Sequence, residues 1–306
     1  MLYFHFMKQI KNFAVIRGFA NIQDGSITFE DTDKKGLKIN RANPILHPTI
    51  ECEVRADVNF QTGTLEFKVK LSNPDCACFA VFNTLGTDKV SVGTLDGRQQ
   101  FMIYQNQSQD YFGNITNYDL NNPLLIKIVV VGSLLSLYVN DIFMGQSNCS
   151  LRNEPISFIL RGGEITIYNI CYEYKKPRVF AVMQFSDEYN TLYKDVIKPI
   201  CEENDLDCVR GDDFYTTTPI LQDIIDNIND SSLIIAEITP DNPNVFYEIG
   251  YAHALNKPTI LLCDRKKDKL PFDVSGFRTL FYDNSIGGKK KVEDDLKKYI
   301  KSIFKK

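Results

Sequence analysis

Several features are missing from this 306-residue chain, and each absence narrows the range of function. No apolar run approaches the roughly 20 residues that a membrane-spanning helix needs. The opening MLYFHFMKQIKN lacks the charged-then-apolar order and the small-residue cleavage site of a secretion signal. There is no GxxxxGK phosphate loop, which argues against ATP hydrolysis, and no GxGxxG, which argues against dehydrogenase chemistry. Eight cysteines are present without a CxxC pair, and no histidine lies near Cys76 and Cys78, so a zinc site is not expected. Cys76 and Cys78 alternate with Ala77 and read as buried reduced thiols, which places the chain in the cytoplasm.

A strong basic balance is also lacking. Net charge is −4. Residues 1–175 carry 16 Lys/Arg against 17 Asp/Glu, and residues 176–306 carry 19 against 22. Neither half is a basic body, so nucleic acid is not the expected partner. The lysines near the end (Lys289 to Lys291 and Lys297 to Lys306) read as a solvated helix face rather than as a nucleic-acid patch. With 43% hydrophobic and 24% charged residues, the chain has enough apolar side chains for a core, and its length suggests two domains.

The two halves follow different periods. From about Gly18 to Tyr174, short runs rich in Val, Ile, Phe, Tyr and Thr alternate with turn residues. Thr49–Val58, Thr64–Lys70, Phe79–Asn83, Leu124–Val131, Leu134–Asn140 and Glu164–Tyr172 read as strands. Turns fall at Ser72-Asn73-Pro74, Asp96-Gly97, Asn121-Asn122-Pro123, Gly132-Ser133 and Gly162-Gly163. This spacing predicts an all-β sandwich or barrel over residues 1–175. The run LLIKIVVVGSLLSLYVNDIFMGQS, followed by ISFILRGGEITIYNICYEY, resembles concanavalin-like or laminin-G-like jelly rolls. Such folds bind sugars, proteins or nothing, so the resemblance fixes no function.

At Lys175-Lys176-Pro177 the pattern changes, and residues 176–306 alternate strand with helix. Arg178–Gln184, Leu206–Arg210, Ser232–Ile238, Pro258–Cys263 and Thr279–Tyr282 read as strands. Glu188–Glu203 and Asn244–Leu255 read as helices, and Lys291–Phe304 as a closing amphipathic helix. A further helix starts at Thr218-Pro219, as N-cap and first helical position. The alternation predicts an α/β unit with a parallel, flavodoxin-like sheet covered on both faces.

In such sheets ligands bind beyond the carboxyl ends of the strands, at the point where strand order reverses. Three polar loops lie there. They are Gln184-Phe185-Ser186-Asp187, Arg210-Gly211-Asp212-Asp213, and Thr239-Pro240-Asp241-Asn242-Pro243-Asn244. The last runs into VFYEIGYAHAL. Asn244 reads as the helix cap, which puts Glu248 in the first turn, where the helix end favours an anion. Small residues at Gly250, Ala252 and Ala254 suit close packing on the sheet. A carboxylate so placed suits a nucleophile or a stabiliser of a cation; the bland alternative is a carboxylate that only complements the dipole or pairs with a lysine.

The stretch LIIAEITPDNPNVFYEIGYAHALNKPTILL resembles the nucleoside 2-deoxyribosyltransferase-like and bacterial Toll/interleukin-receptor (TIR)-like domains. VFAVMQFSDEYNTLYKDVIKPICEENDLDCVRGDD and LPFDVSGFRTLFYD fit the same group, so the likeness spans about Arg178 to Tyr282. The resemblance implies that Glu248 attacks or stabilises the anomeric carbon of a ribosyl group during N-glycosidic cleavage. It implies that Phe185 and Ser186 contact ribose or phosphate. The transferases carry an acidic residue shortly before the glutamate, whereas this chain has Asn242 and Asn244, and no proton donor to a leaving base is visible. Nicotinamide departs from NAD⁺ as a neutral molecule and needs no acid. The expectation is therefore an NAD⁺ glycohydrolase that uses NAD⁺ as substrate and no cofactor. The TIR-like resemblance also implies an antiviral (anti-phage) defence effector, with the jelly roll as sensor or assembly domain and a homo-oligomer as the working form. The alternatives are a nucleoside or nucleotide N-glycosidase or transferase, and a non-enzymatic nucleotide-signal-binding module.

Other residues carry paired readings. Arg210 either clamps a phosphate or pairs with Asp212 or Asp213. Asp241 either orients ribose hydroxyls or forms an Asx turn before Pro243. Tyr247 and Tyr251 either shape the pocket wall or pack in the core. His253 reads as a packing or surface histidine, with a general base as the alternative, and Glu237 either lines the site or pairs with a lysine.

Overall fold

The computed structural model describes residues 7–30, 51–95, 98–105, 108–213, 219–267 and 269–304. The expected turn at Asp96-Gly97, the cap at Thr218 and the first two residues of the Thr49–Val58 strand lie outside them. The chain divides into two compact units, Met1–Val130 with Leu135–Lys175 and Val131–Leu134 with Lys176–Lys306.

The first unit is a sandwich of two antiparallel sheets, jelly-roll-like in that chain neighbours are often not sheet neighbours. One sheet contains β1 (Lys8–Gln9), β3 (Asn21–Gln23), β4 (Ser26–Phe29), β6 (Gly63–Leu71), β11 (Leu124–Val131), β12 (Leu134–Val139), β13 (Ile142–Asn148) and β15 (Ile165–Tyr174). Its order is β13-β12-β11-β6-β15-β4-β3, and β1 pairs with β15. The other contains β2 (Phe13–Arg17), β5 (Glu51–Phe60), β7 (Ala77–Phe82), β8 (Val90–Leu95), β9 (Gln100–Gln105), β10 (Ser108–Phe112) and β14 (Glu154–Arg161), ordered β10-β9-β8-β7-β14-β5-β2.

A period of two builds this core. Leu65, Phe67, Val69 and Leu71 point inward from β6, and Ile126, Ile128 and Val130 from β11. They meet Val54, Phe82, Ile103 and Phe158 from the facing sheet in one cluster. Phe158 touches Phe67 edge-to-face, at 5.3 Å between ring centroids. Between β12 and β13, Asn140 and Asp141 both take positive φ, 50° and 63°, as a tight hairpin turn of matching twist requires. The Asn140 side chain then accepts from the Leu125 backbone N–H at 2.8 Å, which ties the turn to β11.

The second unit is a five-stranded parallel sheet with helices on both faces. Its strands are β16 (Arg178–Val182), β17 (Asp207–Arg210), β18 (Leu233–Glu237), β19 (Thr259–Asp264) and β20 (Thr279–Tyr282), in the order β17-β16-β18-β19-β20. Every residue of β18 is buried, as a central strand covered on both sides must be. Val179, Ala181, Leu233 and Ile235 face α1 (Asp187–Leu192), α2 (Lys198–Glu203) and α6 (Ile286–Phe304). Phe180, Val182, Ile234 and Ala236 face α3 (Ile220–Asp230) and α4 (Pro243–Ala254).

Several helices differ from expectation, α3 among them: it begins at Ile220, with Pro219 as its N-cap rather than its first helical residue. Glu188–Glu203 is not one regular helix. A π turn over Tyr193–Ile197 separates α1 from α2, just before Pro199, which has no N–H to return to the preceding turn. The last helix begins at Ile286, five residues before Lys291, because the Ser285 hydroxyl caps it by accepting from the Gly288 N–H at 3.1 Å. Its lysines form ion pairs, Lys297 with Glu203 of α2 at 2.7 Å and Lys298 with Asp295 of its own helix at 2.8 Å. Between β19 and β20 lies a short helix, α5 (Phe272–Ser275), that the sequence pattern does not indicate. Among the described residues no helix is long and apolar enough to cross a membrane. All eight cysteines are free thiols, seven of them buried.

Candidate active site at the sheet switch point

From β16 the chain crosses to β17 on one side, and it then returns to β18 on the other. The loops after β16 and β18 consequently leave toward opposite faces of the sheet, which makes these strand ends the switch point at which such sheets bind ligands. The loop after β16 holds Phe185 and Ser186, and the loop after β18 holds Asp241 and Asn242.

Asn242, not Asn244, caps α4. Its side chain accepts from the Asn244 N–H at 3.0 Å, and Pro243 takes the first helical position, where no N–H is needed. The helix thus starts earlier than expected, and Glu248 is its sixth residue, in the second turn. Val245, Ile249 and Ala252 form the buried stripe that packs on β16, β18 and β19. Glu248 lies about 60° around the helix from Val245. Gly250 and Ala254 are exposed, so among the small residues only Ala252 serves the close approach to the sheet.

The electrostatics of Glu248 differ accordingly. The helix end stabilises anions only within its first turn. Glu248 is beyond that reach and half-buried, and it has no hydrogen-bond or ion-pair partner among the described residues. Burial alone pushes its carboxyl up to about 7. It is a carboxyl poised between neutral and ionised forms near neutral pH, rather than one held firmly as an anion.

Arg210, at the end of β17, is only 3% exposed. Its Nε and Nη2 donate to the two carboxylate oxygens of Asp212 at 2.6 and 2.5 Å, and its Nη1 lies 3.7 Å from the Met183 sulfur. The guanidinium stands over the Tyr193 ring at 4.6 Å and over the Phe185 ring at 5.2 Å. Of its two expected roles, ion pairing with Asp212 is the one present, and it occupies the fork that a phosphate clamp needs. The pair holds Asp212 below the usual carboxylate range. Asp213 accepts instead from the Arg210 backbone N–H at 2.9 Å and from the Tyr193 hydroxyl at 2.8 Å.

Asp241 forms no Asx turn. It is exposed and pairs with Lys267 at 2.8 Å, and Lys267 also donates to the Ile238 carbonyl at 2.7 Å. A shallow groove of about 920 Å³ passes Asp241, Phe246, Leu270 and Pro271. Ser186 precedes α1 without a side-chain capping bond, and Asn244 and Tyr247 are exposed on α4. Tyr251 packs partly against the core. His253 stacks on Phe277 at 4.1 Å, and burial lowers its pKa, so packing accounts for it.

Glu237 lies on the other face of the sheet. It is fully buried and, among the described residues, pairs with no lysine; its Oε1 accepts from the Thr239 N–H at 2.7 Å. Asp264, Thr239 and Tyr282 surround it, and burial first, with Asp264 adding to it, pushes its carboxyl up to about 7. The Thr239 hydroxyl accepts from the Asp264 N–H at 2.7 Å, joining the ends of β18 and β19. The sequence reading names Glu237 but not Asp264, Thr239 and Tyr282 around it, although both strands visibly end in an acid (LIIAE and TILLCD).

No protein-family model matches the chain, and no curated protein matches it. Solved structures similar to it include the carbohydrate binding module CBM66 from Bacillus subtilis, at 10% identity and a TM-score of 0.39, covering 54% of this chain and 97% of that one. The Bacillus licheniformis beta-glucanase matches at 13% identity and a TM-score of 0.39, covering 56% and 98%. A prokaryotic beta-1,3-1,4-glucanase (lichenase) derived from a mouse hindgut metagenome matches at 14% and 0.40, covering 56% and 96%.

Proposed function

We propose that the second unit is an NAD⁺ glycohydrolase whose catalytic residue is Glu248. The observation that carries this reading is a half-buried carboxyl with no partner among the described residues, on the helix that follows β18 at the switch point. A buried carboxylate without a counter-charge is costly, and a cationic ligand supplies one. The nicotinamide ribosyl group of NAD⁺ is such a cation. In the reaction the bond from the anomeric carbon to the pyridinium nitrogen breaks, and its electron pair neutralises the ring. Ionised Glu248 stabilises the oxocarbenium-like centre. Water adds to that carbon and loses its proton to Glu248 and then to solvent. The products are ADP-ribose, nicotinamide and one proton.

Two further features support the reading. Strand order 2-1-3-4-5 within the unit is that of flavodoxin-like folds, which bind ligands at this point. The run ITPDNPNVFYEIGYAHAL carries the resemblance to TIR-like and deoxyribosyltransferase-like domains. On that resemblance the protein is a cytoplasmic antiviral defence effector, with the sandwich as sensor or assembly domain of a homo-oligomer.

One observation favours a second reading. A carboxyl at about 7 also holds a proton for a leaving base, as hydrolysis of a neutral nucleoside requires. Separate incubations with NAD⁺ and with deoxynucleosides, across a protein concentration series, distinguish the two. Nicotinamide release by the wild type and not by Glu248→Gln supports the first reading, and a steep rise with concentration supports assembly. Base release from deoxynucleosides alone overturns it in favour of the second. If neither substrate loses its base at any concentration, the unit is a binding module.

A further inference from the structure

Phe185 combines an exposed ring with a buried cation behind it. It is 58% exposed, yet its ring rests on a costly support. That support is the Arg210 guanidinium, which is almost wholly removed from water and held by both oxygens of Asp212. Beneath it the buried Tyr193 ring lies 4.6 Å from the guanidinium carbon, and the Tyr193 hydroxyl is fixed by Asp213. Desolvating an arginine costs several kcal/mol, on the order of what its pairing returns. A loose surface phenylalanine needs no such support. Phe185 lies in the loop that follows the carboxyl end of β16, at the point where strand order reverses.

We propose that the exposed surface of Phe185 is a stacking platform for the planar base of a nucleotide ligand, and that Arg210 is a positioning residue that holds this ring in place. This rests on reading the switch point as a nucleotide site, and it goes further in assigning the base-recognition element. It also gives Arg210 a role other than phosphate binding. Every nucleobase presents a π face, so a platform of this kind takes nicotinamide or adenine alike.

The chain contains no tryptophan, so Phe185→Trp places a single fluorescent reporter on the platform. The full-length protein carrying Phe185→Trp and Glu248→Gln binds without turnover. Its emission is expected to be quenched saturably by NAD⁺ and by the phosphate-free probes nicotinamide riboside and adenosine. In the otherwise wild-type chain, Phe185→Ala is expected to raise KM for NAD⁺ about tenfold or more and to change kcat far less. Arg210→Lys keeps the cation but not the flat support. It is expected to weaken the phosphate-free probes as much as NAD⁺ and, added to the reporter variant, to increase the mobility of the indole as read by fluorescence anisotropy.

Two results overturn the proposal. One is an unquenched reporter in saturating NAD⁺ when the parent enzyme cleaves NAD⁺. The other is an Arg210→Lys effect confined to phosphate-bearing ligands, the mark of a phosphate clamp. If Arg210→Lys does not fold, the quenching and the Phe185→Ala kinetics decide alone. If the parent releases no nicotinamide but adenosine quenches the reporter, the platform stands and the glycohydrolase reading fails.

Discussion

Glu248 lies six residues beyond Asn242, the residue whose side chain caps its helix. That offset carries the carboxyl out of the first turn, where the helix end would hold it ionised, and into a half-buried position that raises its pKa. The capping residue thereby sets both where the carboxyl stands and how readily it ionises.

Replacing Asn242 tests the first half of that statement. Asn242→Ala removes the acceptor for the Asn244 N–H and is expected to cost about 1 kcal/mol, whereas Asn242→Asp retains it. Denaturant unfolding of the two variants checks this. Equal stability of Ala and Asp would place the start of α4 elsewhere.

Glu248→Gln is expected to lower NAD⁺ cleavage by about a thousandfold or more and at the same time to stabilise the protein above neutral pH. Between pH 4.5 and about 7 the folded carboxyl keeps a proton that the unfolded chain has lost, so folding stability falls as pH rises through that window. The glutamine variant escapes this loss, which is on the order of 1–2 kcal/mol after allowance for partial exposure. Thermal melts of both proteins at pH 5 and pH 8 measure it, and a variant less stable than wild type at pH 8 would contradict the assigned burial.

Glu237→Gln separates the two raised carboxyls. Glu237 is fully buried on the opposite face, and its Oε1 has the Thr239 N–H as donor, which a glutamine oxygen also accepts. The variant is expected to gain stability at pH 8 relative to pH 5, and to keep NAD⁺ turnover within about twofold. Lost turnover without lost stability would move the reacting centre to the Glu237 side.

Much of this architecture is visible in the residues because burial imposes a period. The alternation in TLEFKVK and LLIKIVVV identifies sandwich strands, and LIIAE, buried on both faces, identifies a central parallel strand. The run VSVGTL and the polar SQDYF alternate less clearly, and β8 and β10 escape a reading by pattern for that reason. Asn242 and Asn244 flank Pro243 as rival caps, and the preference of proline for the first helical position decides between them. The contact of Asp264 and Tyr282 with Glu237 depends on which strands become neighbours, which no local pattern encodes. The fate of Arg210 turns on burial, since an ion pair two residues along looks the same in the sequence whether it is wet or dry.

The pH dependence of nicotinamide release from NAD⁺ examines the central claim most directly, because the two roles open to Glu248 have opposite signs. If the ionised carboxylate stabilises the ribosyl cation, kcat/KM climbs about tenfold per pH unit up to about 7 and is level above it, and Glu248→Gln abolishes both limbs. A rate that declines as pH rises through 7, or one that survives the glutamine substitution, contradicts it.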